Sequence, residues 1–233
     1  ASGETTQPCA FITPCHWHIT PDQVHQTDPA SAPLSEDESR QLLALIAPWF
    51  SDDGITLEYL RPDLWLARGA AFKDLATASM DRALGRDVRP WMPNPIQGAI
   101  IQRLQTELQM LLYTNVFNDQ RAERRLPPIN SFWVHGTGSL PSLPVTKPQA
   151  VCIDNLRHAT LQSDVQSWQK AWQELDSGLI ADLQQRAAKG EPIKLTLCGE
   201  RNAVQWQSLP RSFADKIKSL FGTKRLPDLR EML

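Results

Sequence analysis

The spacing of apolar positions divides the chain into short period-two runs and longer helical stripes. The densest run is residues 127–141, PPINSFWVHGTGSLP. Pro127 and Pro128 impose an extended approach and cannot sit inside a helix. Ile129, Ser131, Trp133 and His135 then alternate with Asn130, Phe132 and Val134. So dense a mix of β-branched and aromatic residues predicts a mostly buried strand. Gly136 and Gly138 follow at once, which predicts that the strand ends in a loop whose backbone can approach something else. Asn130 and Ser131, if buried beside Phe132 and Trp133, require hydrogen-bond partners. Trp133 is expected in the core.

The other elements follow in chain order. Residues 1–6 are small and polar and read as a disordered or cut end. Residues 9–20 read as an edge strand, with His16 and His18 exposed on one face and Cys15 and Trp17 on the other. Residues 24–28 form a second short strand. Ser35 and Glu38 have capping-box spacing, ahead of a stripe of Leu42, Leu43, Ile46, Trp49 and Phe50. Residues 55–60 and 64–67, joined by Arg61, Pro62 and Asp63, read as a hairpin. Residues 70–84 are weakly helical, with Gly85 as a stop. Asn94 and Pro95 cap the longest helix, residues 96–116, lined by Ile100, Leu104, Leu108, Leu111 and Leu112. Glu107 and Gln109 on that helix, and Arg121, Arg124 and Arg125 beyond it, read as solvated faces.

After a Pro-rich loop at 140–148, residues 150–153 read as a buried strand ending in Asp154. Residues 161–188 are helical, with Trp168 and Trp172 as a packed core pair at i, i+4. Residues 193–198 and 203–207 are strands around a turn at 199–202, and 212–221 is an amphipathic helix. Strands and helices alternate through the second half. The expected fold is therefore α/β, with a mixed or mostly parallel sheet flanked by helices. It is expected as a single domain, with residues 1–34 as an extended N-terminal arm.

Composition narrows the function classes. Of 233 residues 41% are hydrophobic, enough for a sizeable core. The formal charge is −2, and a general nucleic-acid binder is normally basic, so no nucleic-acid partner is expected. No apolar run reaches membrane-spanning length and no leader pattern opens the chain, so a cytoplasmic protein without membrane contact is expected. Cys152 and Cys198 sit in apolar runs, and all four cysteines read as reduced. Cys9, Cys15, His16 and His18 could ligate zinc or another transition metal. Their spacing matches no ribbon or finger, because there is no C-x2-C pair.

The segment NSFWVHGTG, Asn130 to Gly138, resembles the Asn–Trp–Gly-x-Gly strand and loop of the archaeal-type cofactor-independent phosphoglycerate mutases. It is closer still to an uncharacterised proteobacterial family that carries a phosphoglycerate mutase or regulatory-protein label. LSEDESRQLLALIAPWF followed by DDGI, GRDVRPWMP, ELQMLLYTNVFNDQR and RRLPPINSFW agree with that second family. The resemblance runs from about Cys15 to Gln207. It implies a reduced alkaline-phosphatase-like sandwich and, for true mutases, two metal ions and a transiently phosphorylated serine. Asp154 and His158 have the spacing of a mutase Asp-x3-His ligand pair. Cys198-Gly199-Glu200 stands where the mutases carry Asp-His, and no residue matches their early Asp or nucleophilic Ser.

These readings lead to a non-catalytic mutase-like protein with a binding or regulatory role and no cofactor. Its partner would be a protein or a small anion. The ligand residues would be Asn130, Ser131, His135, Gly136 and Gly138, with the anion on the glycine loop. His135 would strengthen binding as pH falls through about 6.5. Two alternatives involve a divalent metal such as Zn or Mn. One is a phosphotransferase or phosphatase in which Asp154, His158, Cys198 and His135 converge. The other is a metal-binding protein using Cys9, Cys15, His16 and His18.

Overall fold

The computed structural model describes residues 7–140, 151–199 and 202–208. They fall into two units, Ala1–Ala150 and Val151–Leu233. The first unit opens with strand β1 (Cys9–Cys15), then a hairpin of β2 (Trp17–Ile19) and β3 (Val24–Gln26). Helix α1 (Glu36–Asp52) follows, and the Ser35–Glu38 capping box forms in both directions. Strands β4 (Thr56–Arg61) and β5 (Leu64–Arg68) come next, with Trp65 fully buried. A short α2 (Met80–Ala83) precedes α3 (Ala99–Tyr113), α4 (Val116–Glu123) and strand β6 (Ser131–Gly138).

The main sheet has the order β4-β5-β1-β6, and every pair in it is antiparallel. This overturns the expected mixed or mostly parallel, alkaline-phosphatase-like sheet. The reason is local. Only Pro62 and Asp63 separate β4 from β5, and a parallel pair needs a crossover of a dozen or more residues. In the second half, Val151–Asp154 forms no strand and is exposed, so the apparent strand–helix alternation has no parallel strand to build on. Residues 9–20 are also not an edge strand: β1 lies inside the sheet, between β5 and β6.

One face of the sheet carries Ala10, Ile12, Trp65, Ala67, Phe132 and Val134. Against it pack Leu42, Ile46 and Phe50 of α1 and Ile101, Leu104, Leu108 and Leu112 of α3. The Trp65 indole donates to the buried Ser39 hydroxyl at 2.9 Å. A second cluster of Cys15, Trp17, Ala83, Val88 and Trp133 lies on the opposite face, as strand alternation requires. Trp133 is 2% exposed and its indole donates to Ala78 O at 3.0 Å, so its expected burial holds. Residues 70–84 are mostly irregular, holding only a 3-10 turn (Ala70–Phe72) and α2. The long helix starts at Ala99 behind Gly98, and Asn115 caps a separate α4.

Arg121 is buried completely, not solvated. It donates from Nε to Pro127 O and from Nη1 to Pro33 O and Glu38. Arg124 meets the same carboxylate. One guanidinium thus ties the start of α1, the body of α4 and the approach to β6.

The second unit holds α5 (Arg157–Leu161), α6 (Val165–Leu175), a π turn (Asp176–Ile180), α7 (Ala181–Ala188) and a hairpin of β7 (Lys194–Cys198) and β8 (Ala203–Gln207). Asp164 caps α6 through the Gln166 and Ser167 amides, both at 3.1 Å. Trp168 and Trp172 meet edge to face at 6.0 Å but stay 40% and 36% exposed, so they are no core pair. The readings made at residues 1–6, 141–150, 200–201 and 212–221 lie outside the described residues. No helix among the described residues is long and apolar enough to cross a membrane.

Burial pushes the Glu38 carboxyl up, but the Ser35 amide and hydroxyl with Arg124 and Arg121 outweigh it, holding it at about 2 against an ordinary 4.5. A carboxyl with a depressed folded pKa contributes stability above its unfolded pKa and loses it as pH falls toward the folded one. Glu38→Gln should therefore lose about 3 kcal/mol at pH 7, leaving the buried Arg121 charge unpaired. Its melting temperature should also fall less steeply than the parent's as pH drops from 4.5 toward 2. Parallel calorimetric curves for the two proteins would refute this account.

Candidate functional site

The predicted ligand residues of β6 turn out to hold the chain together. The Asn130 side chain accepts from Trp17 N–H at 2.7 Å and donates to Trp17 O at 2.9 Å. Asn118 treats Ile129 the same way, accepting its N–H and donating to its carbonyl, both at 2.9 Å. Ser131 is fully buried opposite Cys15, but its hydroxyl has no partner among the described residues.

Gly136 and Gly138 lie within β6, not in a loop after it. Phe11 pairs with His135 and Cys9 with Gly138, so Gly136 and Thr137 together face only Ala10. This is a β-bulge, and Gly136 adopts the left-handed φ of +61° that such a bulge requires. A Cβ at Gly136 would lie 3.1 Å from Phe11 Cδ2. The bulge turns Thr137 Oγ1 toward Leu75 O at 2.5 Å and Thr77 Oγ1 at 3.0 Å. His135 is half-buried, with Nε2 3.2 Å from Thr13 Oγ1 and its ring 5.7 Å from that of Phe11. Burial lowers its pKa, Asp81 opposes that and Arg61 adds to it, with a net fall below 6.5.

Cys9 and Cys15 stand at opposite ends of β1. Burial pushes the Cys15 thiol up to about 12, against a smaller pull from its Gln26 hydrogen bond. His16 Nδ1 meets Pro128 O at 2.9 Å, and burial lowers its pKa. His18 is exposed opposite His25. Asp154 and His158 are exposed in the second unit, where Asp154 O accepts the Arg157 amide at 2.8 Å. Among the described residues no three His, Cys, Asp or Glu side chains come together.

The structure shows a cleft that reasoning from sequence missed. A cleft of about 410 Å³ opens in the first unit between α3 and the bend after Val88. Trp17 and the stretch Met92, Pro93, Asn94 and Pro95 form one side; Gln102, Gln105, Thr106 and Gln109 of α3 form the other. The Gln102 amide donates to Pro93 O at 3.1 Å, and Thr106 Oγ1 donates to Gln102 O at 3.0 Å. Gln105 is 4% exposed and donates from Nε2 to Phe132 O at 2.9 Å, while its Oε1 has no partner among the described residues. The amide cannot be turned over, because only its NH2 can serve a carbonyl.

Arg89 also lines the cleft but is committed: its Nε and Nη2 meet Asp87 Oδ2 at 2.9 and 2.7 Å. The hydrogen bonds from Arg89 hold the Asp87 carboxyl at about 2 despite its partial desolvation. The available signal was the i, i+3, i+7 spacing of Gln102, Gln105 and Gln109, which also fits a solvated helix face. No family model, curated protein or solved structure matches the chain.

Two outcomes test this local geometry. Gly136→Ala should destabilise by about 1–2 kcal/mol, the cost of a Cβ in the left-handed region, and Phe11 must also shift. Gly138→Ala, with open space at its Cβ, should be near neutral in the same urea titrations. Equal effects would remove the bulge from the explanation. In native protein, a thiol reagent should modify exposed Cys152 and Cys198 quickly and Cys15 only after unfolding. Rapid native labelling of Cys15, located by mass spectrometry, would contradict its burial.

Proposed function

We propose that the first unit binds a neutral, hydrogen-bonding ligand in the α3 cleft without turning it over, a non-catalytic binding or regulatory role. The observation that carries this reading is Gln105, a residue of the cleft wall whose buried Oε1 has no partner among the described residues. Such an atom costs roughly 1–3 kcal/mol, which a ligand N–H or O–H would recover. The volume of about 410 Å³ falls within the range of small-molecule sites. The lining also favours binding over chemistry. Its amides and hydroxyl do not change charge near neutral pH, and its one guanidinium is neutralised by Asp87. The resemblance at Asn130 to Gly138 fits this role as scaffold, since Phe132 O is what orients Gln105.

The test is a titration of isotope-labelled protein, followed by NMR, with acetamide, N-methylacetamide and nicotinamide against acetate and inorganic phosphate. The neutral amides should shift the Trp17 indole and Gln105 side-chain signals, and Gln105→Met should weaken them. A site that answers acetate or phosphate instead, or shifts confined to His135 and Gly136, would replace this reading with the anion site on β6.

A further inference from the structure

The lining of the cleft is specific enough to name the class of ligand, an inference that rests on the reading of the cleft given above. Gln102, Gln105, Thr106 and Gln109 stand at i, i+3, i+4 and i+7 of α3 and so share one stripe. At 1.5 Å per residue that stripe is about 10 Å long. Three residues of extended chain, at about 3.3 Å each, cover the same length. The free groups are of both kinds. Gln105 Oε1 accepts. Gln102 has given its NH2 to Pro93 O, which leaves its oxygen. Asn94 has given its oxygen to Ile96 N–H at 2.9 Å, which leaves its NH2. Acceptors on the α3 wall and a donor on the other suit a peptide backbone, whose N–H and C=O groups point to both sides of an extended chain.

Side-chain amides already hold the backbone of extended chain elsewhere in this unit. Asn118 grips both backbone groups of Ile129, and Asn130 both of Trp17. Charge sets the rest of the specificity. Arg89 is occupied by Asp87, so no uncompensated charge awaits a charged side chain. Trp17, Met92, Pro93 and Pro95 offer apolar contact instead.

We propose that the α3 cleft holds an extended, uncharged segment of a partner protein, about three residues long, with one backbone N–H donated to Gln105 Oε1. The probe is the capped tripeptide acetyl-Thr-Leu-Thr-amide, added to the full labelled chain at millimolar concentration. It should shift the Trp17, Gln105 and Gln109 signals and bind about tenfold more tightly than N-methylacetamide. A copy methylated at all three residue nitrogens should lose about tenfold, the worth of one hydrogen bond to a buried acceptor. Gln105→Met should lose as much. Because Gln105 also anchors Phe132, Gln109→Ala serves as a second variant that leaves this anchor intact and should still weaken the peptide.

If the methylated copy binds equally well, the backbone contact is wrong and the proposal falls. If N-methylacetamide binds as tightly as the peptide, the cleft is a small-amide site: the peptide proposal falls and the simpler reading stands. If neither moves these signals, both are overturned.

Discussion

The first unit depends on a guanidinium taken out of water. Arg121 has no exposed side-chain surface, and burial lowers its pKa while Glu38 raises it. Desolvating such an ion costs several kcal/mol, which its matched donors must offset. Here Pro33 and Glu38 at the start of α1 take Nη1 and Pro127 before β6 takes Nε, while Nη2 has no hydrogen-bond partner among the described residues. The Pro33 and Pro127 carbonyls lie beside residues that cannot offer a backbone N–H, and Glu38 is already drawn in by the Ser35 cap. One guanidinium therefore joins the entry to α1, the body of α4 and the approach to β6.

From that junction the chain runs into β6, the last strand of its sheet. An end strand leaves backbone groups unpaired on one side, a liability that folded proteins must cover. The cover here is side-chain amides. Asn118 completes Ile129 and Gln105 completes Phe132, while Thr137 uses the bulge at Gly136 to reach Leu75. The Gln105 amide therefore covers one carbonyl of that edge and also lines the cleft. Gln105 spends its donor on the strand, and its acceptor is left without a partner among the described residues.

Much of the local structure was legible. Ser35 with Glu38, Pro62 and Asp63 in the hairpin turn, and the run ending in Trp133 all act through near neighbours, and such signals survive in a sequence. What failed was non-local. Arg121 read as solvated because burial of an arginine shows only through Pro33 and Glu38, more than eighty residues upstream. Gln109 reads as a solvated helix face, and nothing in the sequence singles out Gln105, because the stretch that faces them across the cleft, Met92 to Pro95, lies outside α3. Strand direction failed for a related reason. Alternating elements suggest crossovers only if each strand exists, and Val151–Asp154 is exposed and irregular. Gly136 and Gly138 suggest a loop after the strand that could meet an anion or only turn a corner, yet a bulge makes the same demand on glycine.

That ambiguity bears on what the Asn130–Gly138 segment can say about activity. Each residue in it that suggested a site has a structural task of its own. Asn130 clamps Trp17, Trp133 fills the second cluster, and Gly136 supplies the backbone turn that aims Thr137. Such a segment can be kept for its geometry whether or not a neighbouring site performs chemistry, so it fixes a scaffold more firmly than a reaction. Function has to be argued from groups whose chemistry the scaffold leaves unspent. In the first unit Gln105 Oε1 is such a group: buried, oriented by β6 and carried by a residue that lines the cleft. The buried Ser131 hydroxyl is unspent as well, but it is packed opposite Cys15 and is not part of the cleft lining. An unmatched acceptor beside space invites a ligand, whereas one packed in the interior is only a cost.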